Sequence, residues 1–161
     1  MNAVELLCVN IKKLKIESLL AELFNDKYFQ ALVVDLNTQR LFELGEDAND
    51  VRLRSRLAQF GSAYSPKTTQ IKGQKGQPTD RVTLKDTGAF YKSFAFKKDN
   101  ATKNFLITAD VIKIDENGGV TNLQQQWGED ILGLSSENMQ ELIELSIEII
   151  IPIVLEKILD V

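Results

Sequence analysis

Asp86, followed by Thr87, Gly88 and Ala89, is the point in this chain where acid chemistry is conceivable. Two carboxylates brought together from two such loops can share one proton, because like charges at contact distance do not both ionise. A second chemistry lies just upstream, where Lys67, Lys72 and Lys75 surround Gly73 and Gly76 in a run that could hold phosphate. Tyr64, Phe90, Tyr91, Phe94 and Phe96 flank that run, so the basic 52–103 region could also track a nucleic-acid backbone while its rings stack on bases.

The wider composition removes much other chemistry. The chain contains no histidine, which takes away the commonest general base and the commonest transition-metal ligand together. Hydrolases built on Ser-His-Asp or Cys-His, zinc fingers and HExxH proteases are thereby excluded, and no cofactor or metal is expected. The single cysteine, Cys8, cannot form an intrachain disulfide and is expected in the core. GxxxxGK[ST] is absent, so the glycines at 73 and 76 are not a phosphate loop of that type.

Asp86-Thr87-Gly88-Ala89 resembles the active-site tetrapeptide of the retroviral type of aspartic protease, which works as a dimer. That family places its aspartate after two buried apolar residues and braces the loop with a later apolar-apolar-Gly-Arg segment. Here Lys85 precedes Asp86, and Ile131-Leu132-Gly133 is followed by Leu134. The reading that fits better gives Gly88 a tight turn with positive φ, with Asp86 and Thr87 hydrogen-bonded to the backbone of that turn.

The 161 residues suit one domain with a core of its own, and the sequence predicts an α+β fold. A helical arm is expected over residues 1–45. Its first part, 4–24, has helical spacing with a phase shift near Lys15, and its second is capped by Asn25-Asp26 and ended by Gly45. That second helix carries Arg40 on its apolar stripe, between Leu36 and Leu44. Residues 62–80 read as a flexible basic loop, since Ile71 is the lone apolar residue of the lysine run. A small antiparallel sheet is expected over 81–114. Its central hairpin has one strand running from Phe90 through Lys97, a turn at Lys98-Asp99-Asn100, and a return through Asn104–Thr108. Asp115-Glu116-Asn117-Gly118-Gly119 is a further turn.

Ser135 is placed to cap a C-terminal helix over 135–160, with Met139, Leu142, Ile143, Ile147 and Ile150 inward and a kink or break at Pro152. Ile149, Ile151, Ile153 and Val154 make that helix apolar on more than one side, which points to a contact with another subunit. The apolar run Ile149–Leu155 spans only seven residues, so no membrane span is expected. The N-terminal residues show no uninterrupted apolar region and no small-residue cleavage site, so no secretory signal is expected.

Net charge is −4, yet residues 52–103 alone carry a local +9 and the remainder −13. Such polarity suits subunits that meet basic face to acidic face. It disfavours the nucleic-acid reading, because most of the chain would repel a polyanion, and DNA contact stays a second option.

The order of these features resembles the virion morphogenesis or tail-completion proteins of tailed bacteriophages, which act at the head-tail joint or neck. Tyr64-Ser65-Pro66, Thr68-Thr69 and Lys72 lead through a glycine-rich spacer to Leu84-Lys85-Asp86-Thr87-Gly88 with Phe90, Ser93 and Phe94. Gly128-Glu129-Asp130-Ile131-Leu132-Gly133-Leu134-Ser135 is similar to that family's entry to its C-terminal helix. The resemblance covers residues 60–145. It implies a non-enzymatic ring subunit that meets copies of itself and other neck or tail proteins, located in the virion neck or upper tail and in the host cytoplasm during assembly. Tyr64, Pro66, Lys67, Lys72, Lys75, Leu84, Asp86, Thr87, Gly88 and Phe90 would then form its assembly loop and motif. Charge reversal at Lys72 and Lys75 is accordingly expected to spare the fold.

Overall fold

The computed structural model describes residues 3–58, 62–99, 104–115 and 118–159. Helix α1 (Ala3–Lys13) ends where the sequence shifts phase, at Leu14 and Lys15, with Lys15 in an extended conformation, and α2 (Ile16–Asn25) resumes in a new register. Asp26 then serves two helices. Its backbone N–H donates to the Glu22 and Leu23 carbonyls and closes α2, while its carboxylate accepts from Phe29 N at 2.8 Å and opens α3 (Lys27–Gln39). A single π-helical turn, Arg40–Leu44, prolongs α3 to Gly45, which sits at φ 68° and donates back to the Arg40 carbonyl.

Gly45 is needed for more than its backbone angle. A Cβ there would lie 2.9 Å from Arg81 Cβ and 3.0 Å from the Val82 carbonyl oxygen. Gly45→Ala is therefore expected to cost about 2 kcal/mol, from the left-handed conformation and the displaced 81–82 segment together. A drop of several degrees in the thermal midpoint, with unchanged helical content, checks this.

The expected flexible loop at 62–80 is corrected. It contains α4 (Pro66–Gln74), started by Ser65, whose hydroxyl accepts from Thr68 N, and by Pro66 at the first helical position, where a missing N–H costs nothing. Arg81–Leu84 belongs to no strand; it threads the interior, with Val82 and Thr83 almost wholly buried. The strand expected from Phe90 is corrected in its first half: Gly88, at φ 85°, starts a single helical turn, α5 (Ala89–Lys92). Phe90 and Phe94 are four apart, which is the helical interval as much as a strand alternation, and both rings enter the core.

The central hairpin follows as expected, with β1 (Ala95–Lys98) antiparallel to β2 (Phe105–Thr108) and Ala95 opposite Thr108. A second hairpin pairs β3 (Ile112–Ile114) with β4 (Val120–Asn122), and the two form separate two-stranded sheets rather than one. The Asp115 carboxylate accepts from Gly119 N at 2.8 Å within the second turn. Asn100, Glu116 and Asn117, to which turns were also assigned, lie outside the described residues.

Helix α6 (Leu123–Trp127) and a 3-10 turn (Glu129–Ile131) lead to α7 (Ser136–Leu159), whose first turn is capped by the Ser135 hydroxyl accepting from Asn138 N at 3.2 Å. Pro152 bends α7 but does not break it; the bend is 33°. The lost bond belongs to the carbonyl of exposed Glu148, where water can replace it. Among the described residues no helix is long and apolar enough to cross a membrane.

Two cores result. One gathers Leu41, Leu53, Tyr64, Val82, Phe90, Phe94, Leu123 and Ile131; the other gathers Leu23, Phe29, Val33, Leu36 and Leu142, and Ile107 packs against both. Helix α3 and its π turn supply side chains to both, so it is the spine of the α+β fold. Two expectations fail in this packing. Cys8 is exposed rather than in the core. Met139, Ile143 and Ile147 face solvent, while of the inward set Leu142 is buried and Ile150 half-buried.

Candidate functional site

Tyr64, Gln77, Thr83 and Lys85 converge on one buried lysine. Lys72 comes from the last turn of α4, and its side chain runs inward along the Tyr64 ring, with Nζ 5.0 Å from the ring centroid. That ammonium donates to the Lys85 carbonyl at 2.8 Å, to Gln77 Oε1 at 3.0 Å and to Thr83 Oγ1 at 3.5 Å. All three donor protons thus have acceptors, which makes 8% exposure tolerable for a charge. Burial lowers the Lys72 pKa from its ordinary value, and nearby Asp86 opposes that shift.

Tyr64 fastens the same joint from the other side. Its hydroxyl accepts from Thr83 N at 2.7 Å, and Tyr91 donates its own hydroxyl to the Thr83 carbonyl. A segment that belongs to no strand thereby has both backbone groups of Thr83 satisfied by two tyrosines. Burial raises the pKa of each phenol. Leu84, next in line, is held at φ 51°, an uncommon conformation for a residue with a Cβ, and the surrounding hydrogen bonds hold it there.

Asp86 lies at the outer rim of the joint. Its carboxylate takes Lys75 Nζ at 2.7 Å on one oxygen and Lys113 Nζ at 2.9 Å on the other. These two ammonium groups hold its pKa down to about 2. The turn itself is as expected at Gly88 and Thr87, whose hydroxyl accepts from Ala89 N at 3.4 Å, but Asp86 serves the lysines instead.

Because the folded pKa lies below the ordinary 3.8, the native state binds fewer protons here than the unfolded one. The stabilisation from Asp86 is therefore present above about pH 4 and lost as pH falls toward 2. Asp86→Asn is expected to flatten that part of a plot of denaturation midpoint against pH, leaving the neutral-pH fold intact. Beside Asp86 a cleft of about 150 Å³ is lined by Leu84, Thr87, Gly88, Phe90 and Lys113 among others. Among the described residues, no group of three Cys, Asp or Glu side chains converges in a way that could hold a metal ion.

The two remaining alternatives change accordingly. The exposed lysine arm is corrected: Lys72 is buried, Lys75 is tied to Asp86, and Pro66 and Lys67 stay on the surface of α4. The stacking platform for bases is corrected as well, because Tyr64, Phe90 and Phe94 are core residues and Tyr91 and Phe96 are half-buried.

The second motif, Leu132-Gly133-Leu134-Ser135, meets a different joint. The Asn37 side-chain amide is fully buried and donates to the Ile131 carbonyl at 3.2 Å, while its oxygen accepts from Gly133 N at 2.9 Å, in the manner of a strand neighbour. Arg40, 3% exposed, donates through Nε to the Glu46 carbonyl at 3.2 Å and through Nη1 to the Gly133 carbonyl at 2.9 Å and Asn138 at 3.3 Å. Burial lowers its pKa, and Asp47, Asp50 and Glu46 oppose this. Neither residue was among the candidate site residues, although an arginine on the apolar stripe of a helix was the legible signal. Of the four α7 contact residues, Ile149 packs on the second core, Ile153 and Val154 are half-buried, and Ile151 is half exposed. No protein-family model, curated protein or solved structure matches this chain.

Proposed function

We propose that the chain is a non-enzymatic structural subunit of a phage or prophage virion, acting in tail completion or head-tail joining as part of an oligomeric ring. One observation carries the reading: Tyr64, Lys72 and the 131–135 segment, on which the phage-family resemblance partly rests, are spent on internal fasteners. Tyr64, Lys72 and Thr83 lock α4 to the 81–88 segment, and the 131–135 segment is clamped to α3 by Asn37 and Arg40. Such joints fix a rigid shape and leave the surfaces free for neighbours.

Those surfaces are electrically divided. Arg52, Arg54, Arg56 and Lys67 are exposed on one part of the chain, and Glu137, Glu141, Glu144 and Glu148 on α7. Opposite signs on separate segments favour head-to-tail contacts, which close into a ring when the rotation permits. The working sites would be the virion neck or upper tail and, before assembly, the host cytoplasm. The pairing of Asp86 with two lysines and the burial of Tyr64, Phe90 and Phe94 support this reading over the protease and base-stacking alternatives.

Deleting the gene from the phage or prophage that encodes it tests the proposal. Filled heads and finished tails that stay separate under electron microscopy, rescued by the chain supplied in trans, are the expected result. Joined, infectious particles in the deletion strain would overturn it.

A further inference from the structure

The second hairpin stands apart from the rest of the fold. Among the described residues β3 and β4 pair only with each other, and Ile112, Lys113, Ile114, Val120 and Thr121 are all exposed. A lone two-stranded hairpin is marginally stable in water, so this one depends on what fastens it.

Its base is well held. Leu123 enters the first core and its N–H donates to the Val111 carbonyl at 2.8 Å, while Val111 packs against the same core. Asp110 N donates to the Ser93 hydroxyl at 2.9 Å, and the Asn122 side chain accepts from Gln125 N at 3.2 Å. These contacts all lie at one end of the hairpin, where the strands join the body.

Beyond that end the hold is slight. The register sets Ile114 beside Val120 on one face, and each is 68% exposed. Lys113, on the opposite face, spans from β3 to Asp86 at 2.9 Å, and both side chains of this ion pair are substantially open to solvent. Between hairpin and turn lies the cleft of about 150 Å³, with Leu84 and Phe90 on the turn side and Ile112, Lys113 and Ile114 on the strand side. It has room for a few waters.

We infer that the β3–β4 hairpin is a strap that lifts from the 84–90 turn as one unit, hinged at Val111 and Leu123 and latched by Lys113 on Asp86. Lifting opens the cleft and bares Leu84 and Phe90. Because Asp86 also holds Lys75, the turn stays tied to α4 when the Lys113 latch breaks. The strap is a property of the free protein, so it goes beyond the ring proposal and does not depend on it.

Hydrogen exchange of the intact protein in increasing urea tests it. The amides of 112–115 and 119–122 are expected to share one opening with a far smaller urea slope than the amides of α3, which await global unfolding. Lys113→Gln should quicken hairpin exchange by about two- to five-fold, the scale of an exposed ion pair. Raised salt should quicken it in the unaltered protein and leave the variant unchanged. Lys75→Gln removes the other lysine from Asp86 and should not affect the hairpin. Hairpin amides that exchange only with α3, that open with unrelated free energies, that ignore Lys113→Gln, or that respond equally to Lys75→Gln would overturn the proposal. Each of these outcomes leaves the gene-deletion test of the virion role undecided and separate.

Discussion

Lys72→Glu is expected to lower folding stability by about 3–5 kcal/mol, the scale of leaving a buried charge without its partner. The substituted carboxylate would face the Lys85 carbonyl, Gln77 Oε1 and the Thr83 hydroxyl, all of which now accept from Nζ. It would also approach the negative face of the Tyr64 ring, over which the ammonium now sits. Native domains are stable by only about 5–15 kcal/mol, so the change removes a large share of the total. The measurement is a urea denaturation midpoint with unchanged slope. Lys72→Met keeps the aliphatic stem but orphans the acceptors, and should cost about 1–3 kcal/mol. Lys67→Glu, on the exposed face of α4, should stay within about 0.5 kcal/mol. This ordering reverses the expectation that the lysines of the run are interchangeable surface charges.

Arg40→Met should be the second most damaging substitution, at about 2–4 kcal/mol. Arg40 ties the end of α3 to the Glu46 carbonyl on one side and to the entry of α7, through Gly133 and Asn138, on the other. Methionine fills the volume and leaves both carbonyls unpaired. Hydrogen exchange should therefore quicken from Ile131 through Met139 before it quickens in the first core. Arg40→Lys should recover little of the loss, because a single ammonium cannot reproduce the forked contacts of a guanidinium.

The elements that could be read from sequence were those whose local signals stand alone. Asp26 and Ser135 cap helices whatever surrounds them, and the phase shift at Lys15 marks a helix break without tertiary help. Helix α4 was hidden because it has almost no apolar period: Ile71 is its one large apolar residue and is itself 42% exposed. The helix is held by the Ser65-Pro66 start and by Lys72 buried from its last turn. The Ser65-Pro66 start went unread, and the burial had no local signal, since Gln77, Thr83 and the Lys85 carbonyl reach Lys72 only through the fold.

Helix α7 posed the reverse difficulty. Over 139–147 the apolar residues Met139, Leu142, Ile143, Leu145 and Ile147 spread over a wide arc, so periodicity left the phase loose, and Met139, Ile143 and Ile147 were assigned inward when the packing against α3 selects Leu142. Asp86-Thr87-Gly88 was legible as a turn through its glycine. The part played by Asp86 was not, because Lys113 lies 27 residues away in sequence and meets it only when the second hairpin forms.

The virion role turns on a single measurement, quantitative mass spectrometry of purified particles made by the phage or prophage that encodes this chain. The protein is expected in complete particles at a constant whole-number ratio to the other neck proteins, and on isolated tails or necks rather than in the DNA-filled head interior. Complete, infectious particles that lack the protein would contradict it.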